Sequence, residues 1–336
     1  MAKNVTLADI AAKVGVSNVA VSKALSGKPG VSDELRIKIK LIAEQMGYIP
    51  SPSGKSTVVQ TGNIGVIIPE SYYGSLSFYG QLYQKVVKAL YDNKYYGILE
   101  LLSDEDEEKE NIPKVLQDGK VDGLIFLGRL DEKYIAKIVG QAELPVFFLD
   151  TYMPFIALDT VISDGYYGTY LLMNYLIQHG HKKIGFVGNI DATGSIADRF
   201  WGYRKALREN GIDFEDKWEI LDRSKTGNIY NNILTEKTDM DAYVCNCDLT
   251  AYVLIQDLER MGYHIPDDIS VVGFDDFLPP GTGMDRDRIT SYSVDMKRMA
   301  EVCVESLVKK IRHEKYVEGV QFVTGKIVER KTVKFR

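Results

Sequence analysis

The hydrophobic pattern of the first 49 residues predicts three short helices. In each of them, apolar residues recur at the spacing of one helical face. Thr6, Ser17 and Ser32 stand where their hydroxyls can cap the helix starts. The apolar positions are Leu7, Ile10, Ala11 and Val14 in the first helix, Val21, Ala24 and Leu25 in the second, and Leu35, Ile39, Ile42, Ala43 and Met46 in the third.

Residues 50–61 have the composition of a linker. The stretch from Pro50 to Thr57 reads PSPSGKST and is dominated by proline, serine and glycine, which interrupt regular structure. We therefore divide the chain into a headpiece of residues 1–49, a hinge of residues 50–61 and a large domain of residues 62–336.

In the large domain, short apolar runs alternate with longer amphipathic stretches. This alternation predicts parallel sheets that are covered by helices on both faces. The length suffices for two α/β lobes, roughly 62–161 plus part of 290–325, and 162–289 plus the C-terminal end. The predicted strands are Asn63–Ile68, Tyr96–Leu102, Gly123–Leu127, Val146–Leu149, Val161–Ser163, Lys183–Val187, Ala242–Cys245 and Ser270–Phe274. The predicted helices include Tyr79–Asp92, Tyr166–Gln178, Asp198–Asn210 and Leu249–Met261.

The charge of the chain is unevenly distributed. Residues 1–57 carry eight basic and four acidic side chains, which gives them a net charge of +4. Since the whole chain has a net charge of −6, the remaining residues carry −10. A basic head on an acidic body predicts that only the head meets a polyanion such as DNA. The start of the chain lacks the apolar core of a signal peptide, and no apolar run is long enough to cross a membrane. We therefore expect a cytoplasmic protein without a membrane partner.

The sequence offers little material for catalysis or metal binding. The three cysteines, Cys245, Cys247 and Cys303, are expected to be packed and inert, and the four histidines show no Ser/His/Asp or Cys/His pattern. Residues 53–57, SGKST, look like the end of a phosphate-binding loop. That motif needs a glycine where Ile49 stands and a preceding strand, so the match is false. We expect no enzyme, no metal and no cofactor.

The string TLADIAAKVGVSNVAVSKALSGKPGVS of residues 6–32, followed by GYIPSP, resembles the lactose-repressor/galactose-repressor (LacI/GalR) family of transcriptional regulators. GHKKI at residues 180–184 and PDDISVVGFDD at residues 266–276 extend the likeness over nearly the whole chain. The resemblance implies an all-α helix-turn-helix headpiece and an α/β two-lobed, type I periplasmic-binding-protein-like domain. It also implies sequence-specific binding of double-stranded operator DNA, expected to repress transcription, under control of a small-molecule effector.

A helix-turn-helix needs a small residue where its helices cross and a glycine at the turn, which Ala11 and Gly15 supply. Its second helix lies in the major groove and reads base edges. The alternative is a helical hairpin used only for packing. By resemblance, the base-reading residues are Asn18, Val19 and Lys23, the phosphate contacts are Thr6, Ser17 and Ser22, and the hinge contacts are Lys55 and Thr57.

The hinge departs from the family pattern. Thr57 stands where the family has a leucine that wedges into the minor groove, Gly54 replaces an alanine, and Pro52 enters the segment. Glycine and proline both disfavour a helix. We therefore expect a smaller bend in the operator than the leucine would produce.

The resemblance also assigns effector-binding positions in the large domain. Carboxylates, an arginine and an aromatic ring suit a sugar or sugar derivative, because hydroxyls pair with charged groups while C–H faces stack on rings. Asp248 could instead cap its helix, and Arg199 could form a structural ion pair. The assigned residues are Tyr79, Arg129, Asp150, Thr193, Ser195, Arg199, Asp248 and Asp275.

The expected assembly is a homodimer, since the leucine heptads with which the family forms tetramers are missing before Arg336. A protein corepressor is a further candidate partner. Two other classes of function were weighed: a carbohydrate-binding or transport module with a vestigial headpiece, and a sugar-active enzyme. The complete helix-turn-helix pattern and the missing signal peptide favour the regulator.

Overall fold

The computed structural model of the chain describes residues 6–25, 30–46, 61–74, 77–153, 158–224, 229–279, 281–283 and 285–336. The chain separates into two units, Met1–Val59 and Gln60–Arg336. Among the described residues, no helix is both long enough and apolar enough to span a lipid bilayer.

The described residues of the first unit form three helices, α1 (Leu7–Val14), α2 (Asn18–Leu25) and α3 (Asp33–Gln45). A capping box begins α1, with the Thr6 amide donating to Asp9 Oδ2 at 2.8 Å and the Asp9 amide donating to Thr6 Oγ1 at 3.3 Å. Ser17 and Ser32 accept from amides in the first turns of α2 and α3, at 3.2 and 3.4 Å. The fully or nearly buried core consists of Ile10, Ala11, Val21, Ala24, Ile39 and Ala43.

The second unit contains two six-stranded sheets. In the first lobe the strand order is β11-β5-β4-β3-β1-β2, and all pairs are parallel. Its strands are β1 (Asn63–Pro69), β2 (Tyr96–Leu102), β3 (Gly123–Leu127), β4 (Val146–Leu149), β5 (Thr160–Ser163) and β11 (Val320–Val323).

In the second lobe the order is β12-β10-β9-β8-β6-β7, with only the β10–β12 pair antiparallel. Its strands are β6 (Ile184–Val187), β7 (Glu219–Ile220), β8 (Ala242–Cys245), β9 (Ser270–Asp275), β10 (Thr290–Ser293) and β12 (Lys326–Val328). The chain therefore passes between the lobes three times, after β5, after β10 and after β11.

Helices cover both sheets. Near the first sheet lie α4 (Phe78–Asp92), α5 (Asp104–Glu108), α6 (Lys114–Gln117), α7 (Glu132–Gln141) and α11 (Met296–Ile311), of which α11 packs against α4, β4 and β5. With the second sheet lie α8 (Gly165–Gln178), α9 (Gly194–Glu209) and α10 (Asp248–Arg260). Because most strands are buried on both faces, their side chains form continuous apolar cores. The carboxyl ends of the strands, and the loops that follow them, carry the polar residues of the cleft.

Candidate functional site

The outer face of α2 is the candidate DNA-reading surface. Asn18, Ser22 and Lys23 are exposed, and the side chain of Val19 is 64% exposed although it is apolar. Val21 and Ala24 point the other way and are fully buried. The helix thus presents the residues that the sequence assigned to base and phosphate contacts, while its other face holds it to the headpiece.

One residue of this surface was missed by sequence reasoning. Arg36 of α3 donates through Nη1 to the backbone carbonyls of Lys23 and Ala24, at 3.2 and 3.1 Å. These carbonyls belong to the last turn of α2, whose acceptors have no partner within the helix. Arg36 therefore fixes the end of α2 from which Lys23 projects. The predicted hinge contacts, Lys55 and Thr57, lie outside the described residues.

A cleft between the two lobes contains two adjoining chambers. The large chamber has a volume of about 820 Å³ and the small chamber about 270 Å³, and the first lies in the range of small-molecule sites. Both are lined by Tyr79, Arg129, Asp150, Thr193 and Ser195. The large chamber extends to Tyr72, Phe78, Arg199, Arg223, Cys247, Asp275 and Phe277, and the small one to Tyr152, Asp191 and Asp198.

Seven of the eight predicted effector residues line the large chamber, and Asp248 is the exception. Its side chain is 2% exposed, and its Oδ2 accepts from the Phe277 amide at 2.8 Å. A Cβ on Gly273 would lie 1.9 Å from its Oδ1, so the carboxyl group occupies the space that this glycine leaves beside β9. Burial, followed by the charge of Asp275, raises the pKa of Asp248 well above its ordinary value. The carboxyl group of Asp248 is thus held beside β9 and is not part of the chamber wall.

Two carboxylates face the large chamber from opposite lobes, Asp150 after β4 and Asp275 at the end of β9. Both residues have left-handed backbones, with φ of +64° and +86°. Such conformations cost about 1–3 kcal/mol in residues other than glycine and concentrate at functional sites. Burial raises the pKa of Asp150 to about 6 and that of Asp275 to about 7, while Arg199 opposes both shifts.

Arg199 of α9 supplies the positive charge between these acids. It is 8% exposed, donates through Nη1 to the Asn246 carbonyl at 2.6 Å, and lies 4.0 Å from the ring centre of Phe274. Its buried Nε has no acceptor among the described residues. A guanidinium beside two carboxylates gives this part of the chamber strong donors and strong acceptors for a polyhydroxylated ligand.

Aromatic side chains of the first lobe form another wall. Tyr79 donates to Asp150 Oδ2 at 3.0 Å, and Tyr72 stacks on Tyr79 with ring centres 5.2 Å apart. Tyr72 also lies over Gly128, whose φ is +89° and on which a Cβ would come within 2.9 Å of the Tyr72 ring. Gly128 is therefore required both by its backbone conformation and by the ring above it.

Three contacts join the lobes across the chambers. Arg129 donates to the Ala192 carbonyl at 2.6 Å, and the rings of Phe78 and Phe277 meet edge to face at 6.3 Å. Tyr152 hydrogen bonds Asp198. The lobes are thus in contact around the cavity.

Sequence reasoning also missed a buried polar network that ends in the large chamber. Asp222 is fully buried and accepts from the Asn189 amide at 3.0 Å, from Asn246 Nδ2 at 2.7 Å and from Thr250 Oγ1 at 2.6 Å. Arg223 lies next to it on the chamber wall. Both residues follow β7, a two-residue strand, so no hydrophobic pattern marked this loop as part of a site.

Cys247 was predicted to be packed and inert, yet it lines the large chamber. Arg223 Nη2 donates to its Sγ at 3.3 Å. Burial raises the pKa of the thiol, which keeps it protonated and unreactive near neutral pH. Cys245 and Cys303 are buried.

Comparisons with known proteins match both units. The family described as bacterial regulatory proteins, lacI family, matches residues 6–51, and the periplasmic binding protein-like domain matches residues 173–333. The HTH-type transcriptional regulator RegA of Clostridium saccharobutylicum is 29% identical over 339 residues, which cover 97% of this chain and 98% of RegA. The headpiece thus matches the lacI family of bacterial regulatory proteins, and nearly the whole chain is similar to an HTH-type transcriptional regulator.

Solved structures agree with this LacI-family fold. The transcriptional regulator CelR–cellobiose complex aligns with a TM-score of 0.70 at 20% identity, over 98% of this chain and 100% of CelR. The lac repressor dimer bound to operator and the anti-inducer ONPF aligns with a TM-score of 0.65 at 22% identity, over 99% of this chain and 100% of that chain. They confirm the predicted headpiece and two-sheet α/β domain. The relatives are transcriptional regulators, which confirms the expectation of a regulator rather than an enzyme.

Proposed function

We propose that the chain is a homodimeric, sequence-specific transcriptional repressor whose affinity for operator DNA is controlled by a sugar or sugar derivative. The carrying observation is the cleft in which Asp150 and Asp275 converge from opposite lobes beside the buried Arg199. Such a set of groups recognises a ligand with several hydroxyls and senses whether the lobes are closed around it.

The DNA-binding part of the proposal rests on the headpiece. The exposed face of α2 presents an amide, a hydroxyl, a methyl-bearing group and an ammonium, from Asn18, Ser22, Val19 and Lys23. These chemical types read base edges and thymine methyl groups in the major groove. The net charge of +4 in residues 1–57 supplies the attraction to phosphate.

The effector part rests on the arrangement of donors and acceptors in the large chamber. Asp150 and Asp275 each offer charged acceptors, Arg199 offers donors, and the Tyr72–Tyr79 stack offers an aromatic wall. Hydroxyl pairs of a sugar bind charged groups about twice as strongly as neutral ones. Among relatives, one is named ribose operon repressor, and the CelR structure holds cellobiose, which supports a carbohydrate for this chain as well.

Control of DNA binding follows from linkage. A ligand that prefers one lobe arrangement changes DNA affinity by the same factor by which DNA changes ligand affinity. The lac repressor was solved as a dimer bound to its operator, and a two-fold dimer would present two α2 helices to a palindromic site. Both considerations support a dimeric switch.

The test is a gel shift with the full-length protein on DNA upstream of its own gene, with and without a panel of mono- and disaccharides. We expect a specific complex whose affinity changes with one class of sugar. In Asp275→Ala, effector-free DNA binding should stay within about twofold, while the sugar effect should weaken roughly 10- to 100-fold. Full-strength sugar binding by a folded Asp275→Ala protein, measured by calorimetry, would contradict the assigned site.

A further inference from the structure

The guanidinium of Arg223 is held in one orientation at the wall of the large chamber. Its Nε donates to Asp222 Oδ2 at 2.8 Å, and its Nη2 donates to Asn246 Oδ1 at 3.0 Å and Thr250 Oγ1 at 3.2 Å. All three partners are buried. The side chain is only 14% exposed, so it cannot swing into solvent without breaking this network.

This network leaves one edge of the guanidinium for a ligand. Nη1 of Arg223 donates to no atom among the described residues, while Nε and Nη2 are bound by Asp222, Asn246, Cys247 and Thr250. Asp222 is the carboxylate paired with Arg223, and its oxygens also receive three neutral donors, which hold the pair in place. Burial opposes the charged form, but the hydrogen bond and the charge of Asp222 raise the pKa of Arg223, so the group stays cationic.

A second guanidinium lines the same end of the chamber. Arg129 has one hydrogen bond, to the Ala192 carbonyl, and no carboxylate within ion-pair distance in the described part of the chain. Burial raises the pKa of the Tyr72 hydroxyl, while Arg129 and Arg223 both lower it. Arg129 directly follows Gly128, over which the Tyr72 ring lies, and Arg223 belongs to the wall of the same chamber.

Two of the acidic side chains at the Tyr72 end of the chamber already accept hydrogen bonds from backbone amides. Asp131 caps α7 by accepting from the amides of Lys133 and Tyr134, at 2.8 and 3.1 Å. Glu107 accepts from the Asp131 amide, and burial raises its pKa. Glu132 lines both chambers and is the acid that would oppose an anionic ligand.

We infer that the effector carries an anionic group, a carboxylate or a phosphate, which Arg223 and Arg129 bind at the Tyr72 end while Asp150 and Asp275 bind the hydroxyls. The effector class is thus an acidic sugar, and the inference rests on the proposed function of the cleft. Two guanidiniums suit this chemistry because each presents paired N–H groups that match the spacing of carboxylate or phosphate oxygens. The fixed orientation of Arg223 lowers the entropy cost of that contact.

The experiment compares matched pairs on the full-length protein by calorimetry. The neutral probes are glucose, galactose and fructose, the carboxylate probes are glucuronate and galacturonate, and the phosphate probes are glucose 6-phosphate, galactose 6-phosphate and fructose 1-phosphate. We expect one acidic probe to bind at least about tenfold more tightly than its neutral parent, with a preference that falls as salt is raised. Tighter binding of the carboxylate probes or of the phosphate probes shows which anionic group the site accepts.

Three variants locate the preference. Arg223→Gln and the exposed Arg129→Gln should each reduce the acid-to-neutral ratio about tenfold or more, because each removes a guanidinium that only the acidic probe engages by charge. Arg129→Gln keeps the test valid if loss of Arg223 unfolds the network. Glu132→Gln should move the ratio the other way and raise it.

Binding of a neutral sugar with no gain from its acidic partner would overturn the inference and leave the proposed function standing. A ratio unchanged in both arginine variants would overturn it as well. If none of the probes bound, or none changed the gel shift, both the proposed function and this inference would be contradicted.

Discussion

The hydroxyl of Tyr152 donates to both carboxylate oxygens of Asp198, at 2.9 and 3.1 Å. Tyr152 follows β4 in the first lobe and Asp198 belongs to α9 in the second, so the bond joins the lobes at the wall of the small chamber. Burial, with the charge of Asp198, raises the pKa of Tyr152 to about 12. The phenol therefore remains a donor at every physiological pH, and the bond exists only while the lobes are this close.

We predict that Tyr152→Phe weakens effector binding about threefold to tenfold. The variant keeps the ring but removes a charge-assisted hydrogen bond, worth about 1 kcal/mol at this half-exposed position. Calorimetry measures the loss, and Tyr96→Phe, at a side chain 71% exposed on β2, is the control. Effector affinity equal to that of the unaltered protein would mean that the bond does not contribute to closure.

Effector affinity should depend on pH between about 5 and 8. With pKa values raised to about 6 and 7 by burial, Asp150 and Asp275 lose their protons in this range and become better acceptors. Affinity for a sugar should therefore rise with pH. In Asp275→Asn, the rise in affinity should occur only near pH 6, where Asp150 loses its proton. Measurements of effector affinity at four pH values would show this. Parallel pH profiles for the two proteins would exclude Asp275 as the titrating acceptor.

The same shifts predict the opposite slope for stability. A carboxyl group whose pKa is raised in the folded state binds its proton more tightly there than in the unfolded chain. Between the ordinary pKa near 4 and the folded values of about 6 and 7, the free energy of unfolding should fall as pH rises, by at most about 1.4 kcal/mol per pH unit for each group. Urea unfolding at pH 4.5, 6 and 7.5, with Asp275→Asn as comparison, measures this contribution.

Gly128→Ala should disturb the aromatic wall of the chamber. An alanine at φ of +89° is strained, and its Cβ would lie 2.9 Å from the ring of Tyr72, so the stack on Tyr79 must shift. We expect a lower melting temperature and at least about fivefold weaker effector binding. Gly140→Ala is the matched control: it lies inside α7 with nothing within 4 Å, and it should stabilise the protein by up to about 1 kcal/mol. Similar outcomes for the two variants would contradict the role given to Gly128.

Lys23→Ala should cost roughly 1–3 kcal/mol on the cognate operator and much less on random DNA. The side chain is exposed on α2, and Arg36 fixes the backbone from which it projects. Gel shifts at one fixed salt concentration provide both numbers, with Lys40→Ala on the exposed face of α3 as the charge-matched control. An equal loss on both DNAs would make Lys23 a phosphate contact.

Hydrophobic periodicity was sufficient to locate the apolar strands, and it failed to locate the strands that contain buried polar or exposed residues. The strands predicted from apolar runs all appear, within one residue at either end. β10 was missed because Thr290 and Ser291 are buried as polar residues, with Arg330 and Asp276 donating their amides to the two hydroxyls. Edge strands such as β11 and β12 are half-exposed, which weakens the pattern.

The candidate site shows a similar division. Positions at the ends of predicted strands, such as Asp150 and Asp275, could be found because parallel strands place their carboxyl ends together. Asp248 also follows the end of a predicted strand. Its carboxyl group, however, lies against β9, in the space left because Gly273 has no side chain. Arg223 could not be found, because its orientation comes from Asn246 and Thr250, which are distant in the sequence.

The three passages of the chain between the lobes have a consequence for synthesis on the ribosome. β11 pairs with β5 across some 160 residues, and β12 pairs with β10 shortly afterwards. The Thr332 carbonyl then receives the Val271 amide at 2.9 Å. Until residues 320–332 emerge, β5 and β10 lack β11 and β12, which pair with them in the finished sheets, and other chains can pair there instead. The sheets of the two lobes are therefore completed almost together. A stalled or truncated polypeptide lacks the last strand of both sheets rather than of one.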